Sequence, residues 1–316
     1  MGTIVLIFAV IAIAGPVLLS FAIEAMRRAP EAPAALPWAL DLAQQYTTVD
    51  GIRLRYVRTG KGPPLVLLHT LRTQLDIFQK VIPELARNFT VYALDYPGHG
   101  WSAIPKTEYT PALFTDTVAR FLDDQKIGNA TLAGISIGGT IPLLLAARRH
   151  PGVTRVVSIN PYDYGRGRGL ARANAVAWLM FAAARVPVLG ETFLRLRNPL
   201  VENIILRGGV AEAGALPESF LREMYAVGCR PGHYQAFLNL LRNAYKWDEA
   251  RAEYGRISVP VLLVYGDRDW SREAERGAAL ARIPGARMET VRNGGHFLSL
   301  DRPQDVIRLI REFTKA

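Results

Sequence analysis

The sequence has one cysteine, Cys229, among 316 residues. An intramolecular disulfide is therefore impossible, and the fold must rest on its core. Cys229 lies outside any Cys/His cluster, so it reads as a packed or surface thiol and not a metal ligand. Charge is missing from Thr3 to Ile23, "TIVLIFAVIAIAGPVLLSFAI". Also missing are internal repeats, an RNA-type aromatic motif and a basic helix. The formal net charge of +10 comes from scattered arginines, which argues against a nucleic-acid partner and for an anionic membrane surface. "YGRGRGLAR", residues 164–172, does not open a strand–turn–helix unit in G-x-G-x-x-G form, so it reads as a basic entry to a helical segment and not a nucleotide site. No metal and no organic cofactor is implied.

Half of the residues are hydrophobic, enough for a large core. The uncharged stretch is long enough to cross a bilayer of about 30 Å as a helix rising ~1.5 Å per residue. Gly15-Pro16 is a kink that such helices tolerate. A cleaved signal peptide is the alternative. Against it, no Lys or Arg precedes the run, the run exceeds a usual h-region, and no small-x-small cleavage site follows. Residues 1–28 are thus expected to be a single-pass membrane anchor. Arg27 and Arg28 follow the span, which sets the domain on the cytoplasmic side. "APEAPAALP" opens a stiff linker, assigned to residues 29–45.

From residue 46 to 316, apolar strands alternate with helical patterns. "IRLRYVRTG" (52–60), "PLVLLH" (64–69), "FTVYALD" (89–95), "ATLAG" (130–134), "VTRVVSIN" (153–160), "VPVLLVYG" (259–266) and "MET" (288–290) read as strands. Helices are expected at 77–86, 111–125, 138–149, near 272–283 and around 303–314. That rhythm predicts an α/β fold, a mainly parallel sheet with helices on both faces. Residues 162–250 break it with helices alone and read as an inserted lid. The lid residues Trp178, Leu179, Phe181, Phe193 and Leu194 suit a lid core or an acyl pocket, and "AVAWLMFAAARVPVLG" is apolar enough to lie on a membrane.

"LAGISIGGT", residues 132–140, carries the chemistry. Strand, then Gly134-Ile135-Ser136-Ile137-Gly138, then helix, is the G-x-S-x-G nucleophile elbow in the setting the motif requires. The turn lifts the Ser136 hydroxyl clear of the sheet, where the Ile137 amide and the helix dipole can face a developing oxyanion. Further on, Asp269 lies just past a buried strand in "VPVLLVYGDRDW", and His296 sits in a loop in "RNGGHFLSLDRP". The order Ser, Asp, His follows.

With "LVLLH", "ALDYPGHGWS", "GISIGG", "LLVYGDRD" and "GGHFLSLDRP" in sequence, the chain from about residue 46 to 316 resembles the α/β-hydrolase fold superfamily. The resemblance implies that His296 is general base to Ser136, with Asp269 holding the imidazole tautomer, in acyl transfer through a covalent acyl-enzyme. Asp267, on the same loop, and Asp163, in "INPYDY", are alternative acids. The resemblance also implies an oxyanion hole from the amides of Leu71 and Ile137. Here the sequence departs from the family, which has His-Gly where this chain has His69-Thr70. A β-branched residue in place of glycine restricts the loop, or its hydroxyl donates in the amide's stead. His99 is expected to shape a turn, and His150 and His233 have no evident partner. A serine at the elbow argues against the dehalogenases and epoxide hydrolases of the fold, which use aspartate there. The expected function is a membrane-anchored serine esterase of lipase-like type, cleaving a small hydrophobic ester without cofactor. A carbon–carbon bond hydrolase, a perhydrolase or a non-catalytic scaffold are the alternatives, since fold alone does not fix substrate.

Overall fold

The computed structural model describes the backbone of residues 2–315 and, in the first helix, side chains from Ala14 onward. Its centre is one eight-stranded sheet. The strands are β1 (Gln44–Val49), β2 (Ile52–Thr59), β3 (Pro64–Leu68), β4 (Thr90–Leu94), β5 (Ala130–Ile135), β6 (Val153–Ile159), β7 (Val261–Gly266) and β8 (Arg287–Val291), in the order β1-β2-β4-β3-β5-β6-β7-β8. β1 pairs with β2, and β2 with β4, antiparallel; every later pairing is parallel. β5 and β7 are buried at every position, which explains their unbroken apolar sequences: helices cover both faces of a parallel sheet. At the edge, β8 buries only Val291. β1, "QQYTTV", lacks an apolar alternation, so its sequence gave no strand signal. Its pairing is set by the turn Asp50-Gly51, both at positive φ (47° and 77°), the backbone a two-residue hairpin needs.

The expected helix over 77–86 is instead two separate turns, Leu75–Phe78 and Ile82–Leu85. Pro83 has no N–H to continue a helix and starts a new turn. The longer helices are α1 (Gly2–Met26), α2 (Pro111–Asp124) and α3 (Ile137–Ala147). Five more, α4 (Ala175–Ala184), α5 (Leu189–Arg195), α6 (Pro199–Arg207), α7 (Glu218–Gly228) and α8 (His233–Arg242), lie between β6 and β7. α9 (Glu273–Leu280) and α10 (Pro303–Lys315) complete the set. Chain 160–260 is thus a helical insertion. Two of its helices start on asparagine caps: Asn174 accepts from the Ala177 amide at 2.9 Å and Asn198 from the Val201 amide at 3.0 Å.

The structure bears on two expectations about the N-terminal segment. Among the described residues, no helix is long and apolar enough to cross a membrane, and residues 3–13 of the expected span lie outside the described side chains. The C-terminal end of α1 packs on the insertion. Glu24 receives both terminal nitrogens of Arg197 (2.8 and 3.1 Å), Ser20 receives Arg195 Nε (3.0 Å), and Arg27 donates to Tyr225 (3.0 Å) and to the Arg195 carbonyl (3.1 Å). The stretch 29–45 is not a free linker. Leu36 is fully buried, Trp38 Nε1 donates to Asp76 (2.7 Å), and β1 already begins at Gln44.

A buried ionic cluster is centred on β2. Arg55, on β2, is held by Asp95 (2.5 Å) and Asp76 (2.8 Å), all three buried. Burial works against the guanidinium charge, but the two carboxylates outweigh it and raise the arginine pKa above its ordinary value. Asp95 also accepts from the amides of Leu75 (2.8 Å) and Trp101 (2.9 Å). One cluster therefore ties β2 to the loops that leave β3 and β4.

Candidate active site

The parallel strands β3, β5, β6 and β7 all end at the same edge of the sheet. Their following residues, Thr70, Ser136, Asn160 and Asp269, converge there, as loops at the carboxyl ends of parallel strands do. Ser136 stands between β5 and α3 at φ 62°, ψ −121°. That left-handed backbone is costly for a non-glycine residue and persists only where its surroundings enforce it. Packing does so here. A Cβ on Gly134 would lie 2.0 Å from the Gly138 carbonyl oxygen, and one on Gly138 would lie 2.1 Å from the Leu68 oxygen. Both glycines are required by close approach, since neither has positive φ.

The end of β6 holds two loops at once. The Ser136 amide donates to the Ile159 carbonyl (2.9 Å). The next residue, Asn160, donates from Nδ2 to the carbonyls of Gly295 (3.1 Å) and His296 (3.0 Å), and accepts the Gly266 amide on Oδ1 (2.9 Å). The serine turn and the histidine loop are thereby fastened to adjacent residues of one strand end.

Asp269 and His296 are brought together. His296 Nδ1 lies 2.5 Å from Asp269 Oδ1, both side chains fully buried. Asp269 Oδ2 accepts the amide of Ser271 at 2.8 Å and also its hydroxyl. Burial alone would push the Asp269 carboxyl up, but the His296 ring and the Ser271 bonds overcome it and hold the pKa below the usual carboxylate value. An ionised Asp269 fixes the proton on Nδ1 and leaves Nε2 as an acceptor. That Nε2 and the Ser136 Oγ are both buried, and neither has a hydrogen-bond partner. Ser136 is not bonded to His296; catalytic bonds of this kind are often long without substrate. Trp270 stacks on His296 with ring centroids 3.7 Å apart and 14° between planes.

The two alternative acids are engaged elsewhere. Asp163 pairs with Arg251 (3.1 Å) and Tyr254 (2.8 Å); burial raises its pKa, and its partners offset this only in part. Asp267 accepts the Gly294 amide (3.1 Å) and shapes the histidine loop.

Thr70 causes less disturbance than its sequence position suggests. Its φ is not positive; the left-handed residue of this loop is Arg72, at φ 61°. The Thr70 carbonyl accepts His69 Nδ1 (2.7 Å) and the Thr73 hydroxyl (3.0 Å). His69 Nε2 accepts the Tyr96 amide at 3.2 Å, so its tautomer is fixed and the ring is neutral. Burial and the neighbouring His99 lower the His69 pKa well below its ordinary value. His99 is itself lowered to about 4, chiefly by burial, and it packs against His69 and Phe114. The Leu71 and Ile137 amides donate to no other group among the described residues.

An apolar cavity of about 740 Å³, counted out to its open side, borders this centre. Thr70, Leu71, Trp270 and Phe297, from the loops that carry the site, and Leu170, Met180, Phe193 and Ile205 of the insertion are among its lining, which does not include Ser136 or His296 themselves. Of the expected lid residues, Phe193 and Leu194 line it; Phe181 is buried beneath, and Trp178 and Leu179 face outward. His233, for which sequence offered no partner, is buried in the wall. His150 Nε2 lies 3.4 Å from Asp123.

Sequence reasoning missed Asn160, Ser271 and Trp270. Ser271 had a signal, because Asp-x-Ser is the local turn in which a carboxylate caps the amide two residues on. Asn160 and Trp270 act through contacts between distant strands and had none.

Residues 63–303 match the family described as alpha/beta hydrolase fold. The chain is 30% identical over 263 residues to the pimeloyl-[acyl-carrier protein] methyl ester esterase of Chromobacterium violaceum, covering 80% of this chain and 94% of that one. Among solved structures, Cfl2 from Burkholderia cenocepacia aligns with a TM-score of 0.77 at 25% identity, over 88% of this chain and 98% of that one. A membrane phospholipase A, titled a novel bacterial virulence factor, aligns at 0.73 and 22% identity over 99% and 96%; at that identity the likeness concerns the fold.

Proposed function

Because this chain belongs to the alpha/beta hydrolase fold family, we propose that it is a serine esterase acting on a hydrophobic, lipid-like carboxylic ester at a membrane surface. One observation carries the reading: a hydroxyl and a bare imidazole nitrogen, Ser136 Oγ and His296 Nε2, are buried without partners at the same strand edge, and the imidazole is bonded on its other side to an ionised aspartate. Ser136 Oγ attacks the ester carbonyl as His296 Nε2 takes its proton, and Asp269 stabilises the imidazolium that forms. The amides of Leu71 and Ile137 donate to the oxyanion, with the N-terminus of α3 behind Ile137 adding its dipole. Collapse of the tetrahedral intermediate expels the alcohol, which takes the proton from His296. Water then attacks the acyl-enzyme with His296 as base, releasing the acid and restoring the Ser136 hydroxyl.

The apolar cavity supports a hydrophobic acyl or alcohol group, and the helical insertion acts as its lid. The esterase relative supports ester chemistry. Membrane association draws support from the apolar sequence of α1 and from the exposed Trp178, Leu179, Val188 and Leu189 of the insertion. Arg27 and Arg28 after the apolar run favour the cytoplasmic side for the domain.

The test is hydrolysis of chromogenic acyl esters, short to long, by the solubilised full chain beside Ser136→Ala. Turnover that falls by on the order of 10⁶ in the variant, with a long-chain optimum, supports the reading. Equal rates in the two proteins would overturn it.

A further inference from the structure

Much of the insertion's share of the cavity comes from one short stretch of chain. Phe193, Leu194, Arg197, Val201, Ile205 and Leu206 all line it. The end of α5, the link at residues 196–198 and α6 therefore shape it together. No described residue of α1 lines the cavity, yet the last turns of α1 grip that link.

Arg27 donates to the carbonyls of Arg195 (3.1 Å) and Arg197 (3.3 Å). The C-terminal end of a helix such as α5 leaves carbonyls without intrahelical partners, and a cation is favoured there. Glu24 receives both terminal nitrogens of Arg197 (2.8 and 3.1 Å) and pairs with Arg27 (3.2 Å). The Arg195 guanidinium lies 3.8 Å from the centroid of the Phe21 ring, and its Nε reaches Ser20. Arg195 and Arg197 also flank Tyr234, at 5.8 and 5.7 Å from its ring centroid, and Tyr234 is itself a lining residue. An exposed ion pair would contribute little, but this grip is shielded: Ser20 and Arg195 are buried, and the Arg197 side chain is 9% exposed. A close-packed interior transmits a shift instead of absorbing it. The seat of α1 thus governs where the wall at 193–206 stands.

We propose that Glu24 and Arg27 are positioning residues of the substrate cavity: through them α1 holds the wall at 193–206 and so sets the length of apolar chain that the cavity accepts. The application to esters rests on the esterase reading above; the control of binding does not. A chain that meets a gap forfeits its contacts there, so a loosened wall loses long chains first.

The test is steady-state hydrolysis of p-nitrophenyl butyrate and laurate by the full chain in amphipol, beside Glu24→Gln and Arg27→Gln. In each variant the KM for laurate should rise about three- to tenfold, the worth of one or two lost hydrogen bonds. The butyrate KM and both kcat values should change by less than about twofold, because Ser136, Asp269 and His296 are fastened to other elements. Calorimetric titration with decanol reads the same loss of affinity without turnover, and thermal melts establish which variants are folded. Unchanged laurate KM and decanol affinity in the folded variants would overturn the proposal. So would an equal rise in both KM values, a fall in the butyrate kcat, or failure of both variants to fold, each of which would make the contact one of general stability. Weakened decanol binding in a chain that turns over no ester would sink the esterase reading and leave the positioning role standing. Ester turnover with an unaltered dependence on chain length would do the reverse.

Discussion

The strand-end half of the site and the half contributed by the insertion are built differently. At the sheet edge, buried charges are answered: Arg55 by two carboxylates, Asp95 by two amides as well, Asp269 by His296 and Ser271. The atoms the strand-end half leaves unmet are uncharged ones, the Gln74 amide, the Tyr96 hydroxyl, Ser136 Oγ and His296 Nε2. In the insertion, Glu191 and Thr192 each leave a buried oxygen without a partner, and Glu202 has only the contact with Arg72. Among the described residues, the large apolar side chains that face solvent are, Leu40 and Met288 apart, all on α1 or within the insertion. A low-dielectric interior penalises every unmet polar group and charges most of all, so a network whose charges are all answered holds one geometry. The looser half can trade partners. Rigid atoms for bond-making and adjustable atoms for substrate therefore come from different stretches of the chain.

Substitution can break that contrast, and the largest effect should come from the strand-end half. Asp269→Asn keeps the shape but allows the wrong tautomer, and kcat should fall by about 10⁴, the drop that change produces in a Ser-His-Asp triad, with little change in melting temperature. Arg55→Met leaves Asp95 and Asp76 buried and unpaired; denaturant titration should show a loss of about 3–5 kcal/mol. Gly138→Ala forces its new methyl group against the Leu68 and His69 carbonyls, with an expected loss of at least 1–3 kcal/mol, on the order seen for overpacking. On the other side, Glu24→Gln removes a partly buried pair with Arg197, for which roughly 0.2–1 kcal/mol is expected after allowance for solvent. Trp178→Ser, at a 60% exposed position, should leave stability within about 0.5 kcal/mol while weakening flotation with anionic vesicles. A large stability loss from Glu24→Gln or Trp178→Ser would erase the distinction between the two halves.

Much of the strand-end half was legible in the sequence for the same reason that it is rigid. Continuous apolar strands, glycines packed against carbonyls and a serine between them are local consequences of a parallel sheet ending in a sharp turn, so residues 130–147 carry their structure openly. β1 was not legible, because "QQYTTV" is an edge strand whose pairing depends on the turn that follows it. Residues 29–45 suggest a linker because proline and alanine dominate; the Trp38 bond to Asp76 depends on a partner more than thirty residues away, and the burial of Leu36 on packing that the local sequence does not announce. The ion pair of Arg72 with Glu202 was invisible for a similar reason. Its members are 130 positions apart in the chain, and each alone is an ordinary charged residue.

The stack of Trp270 on His296 has a consequence for observation. A protonated imidazole quenches indole emission far more than a neutral one, and no other tryptophan stacks on this ring. The difference in fluorescence between the native chain and Trp270→Phe would therefore track the proton on the base as each ester is opened and each acyl-enzyme is cleared, an optical channel that needs no label and looks at the step itself.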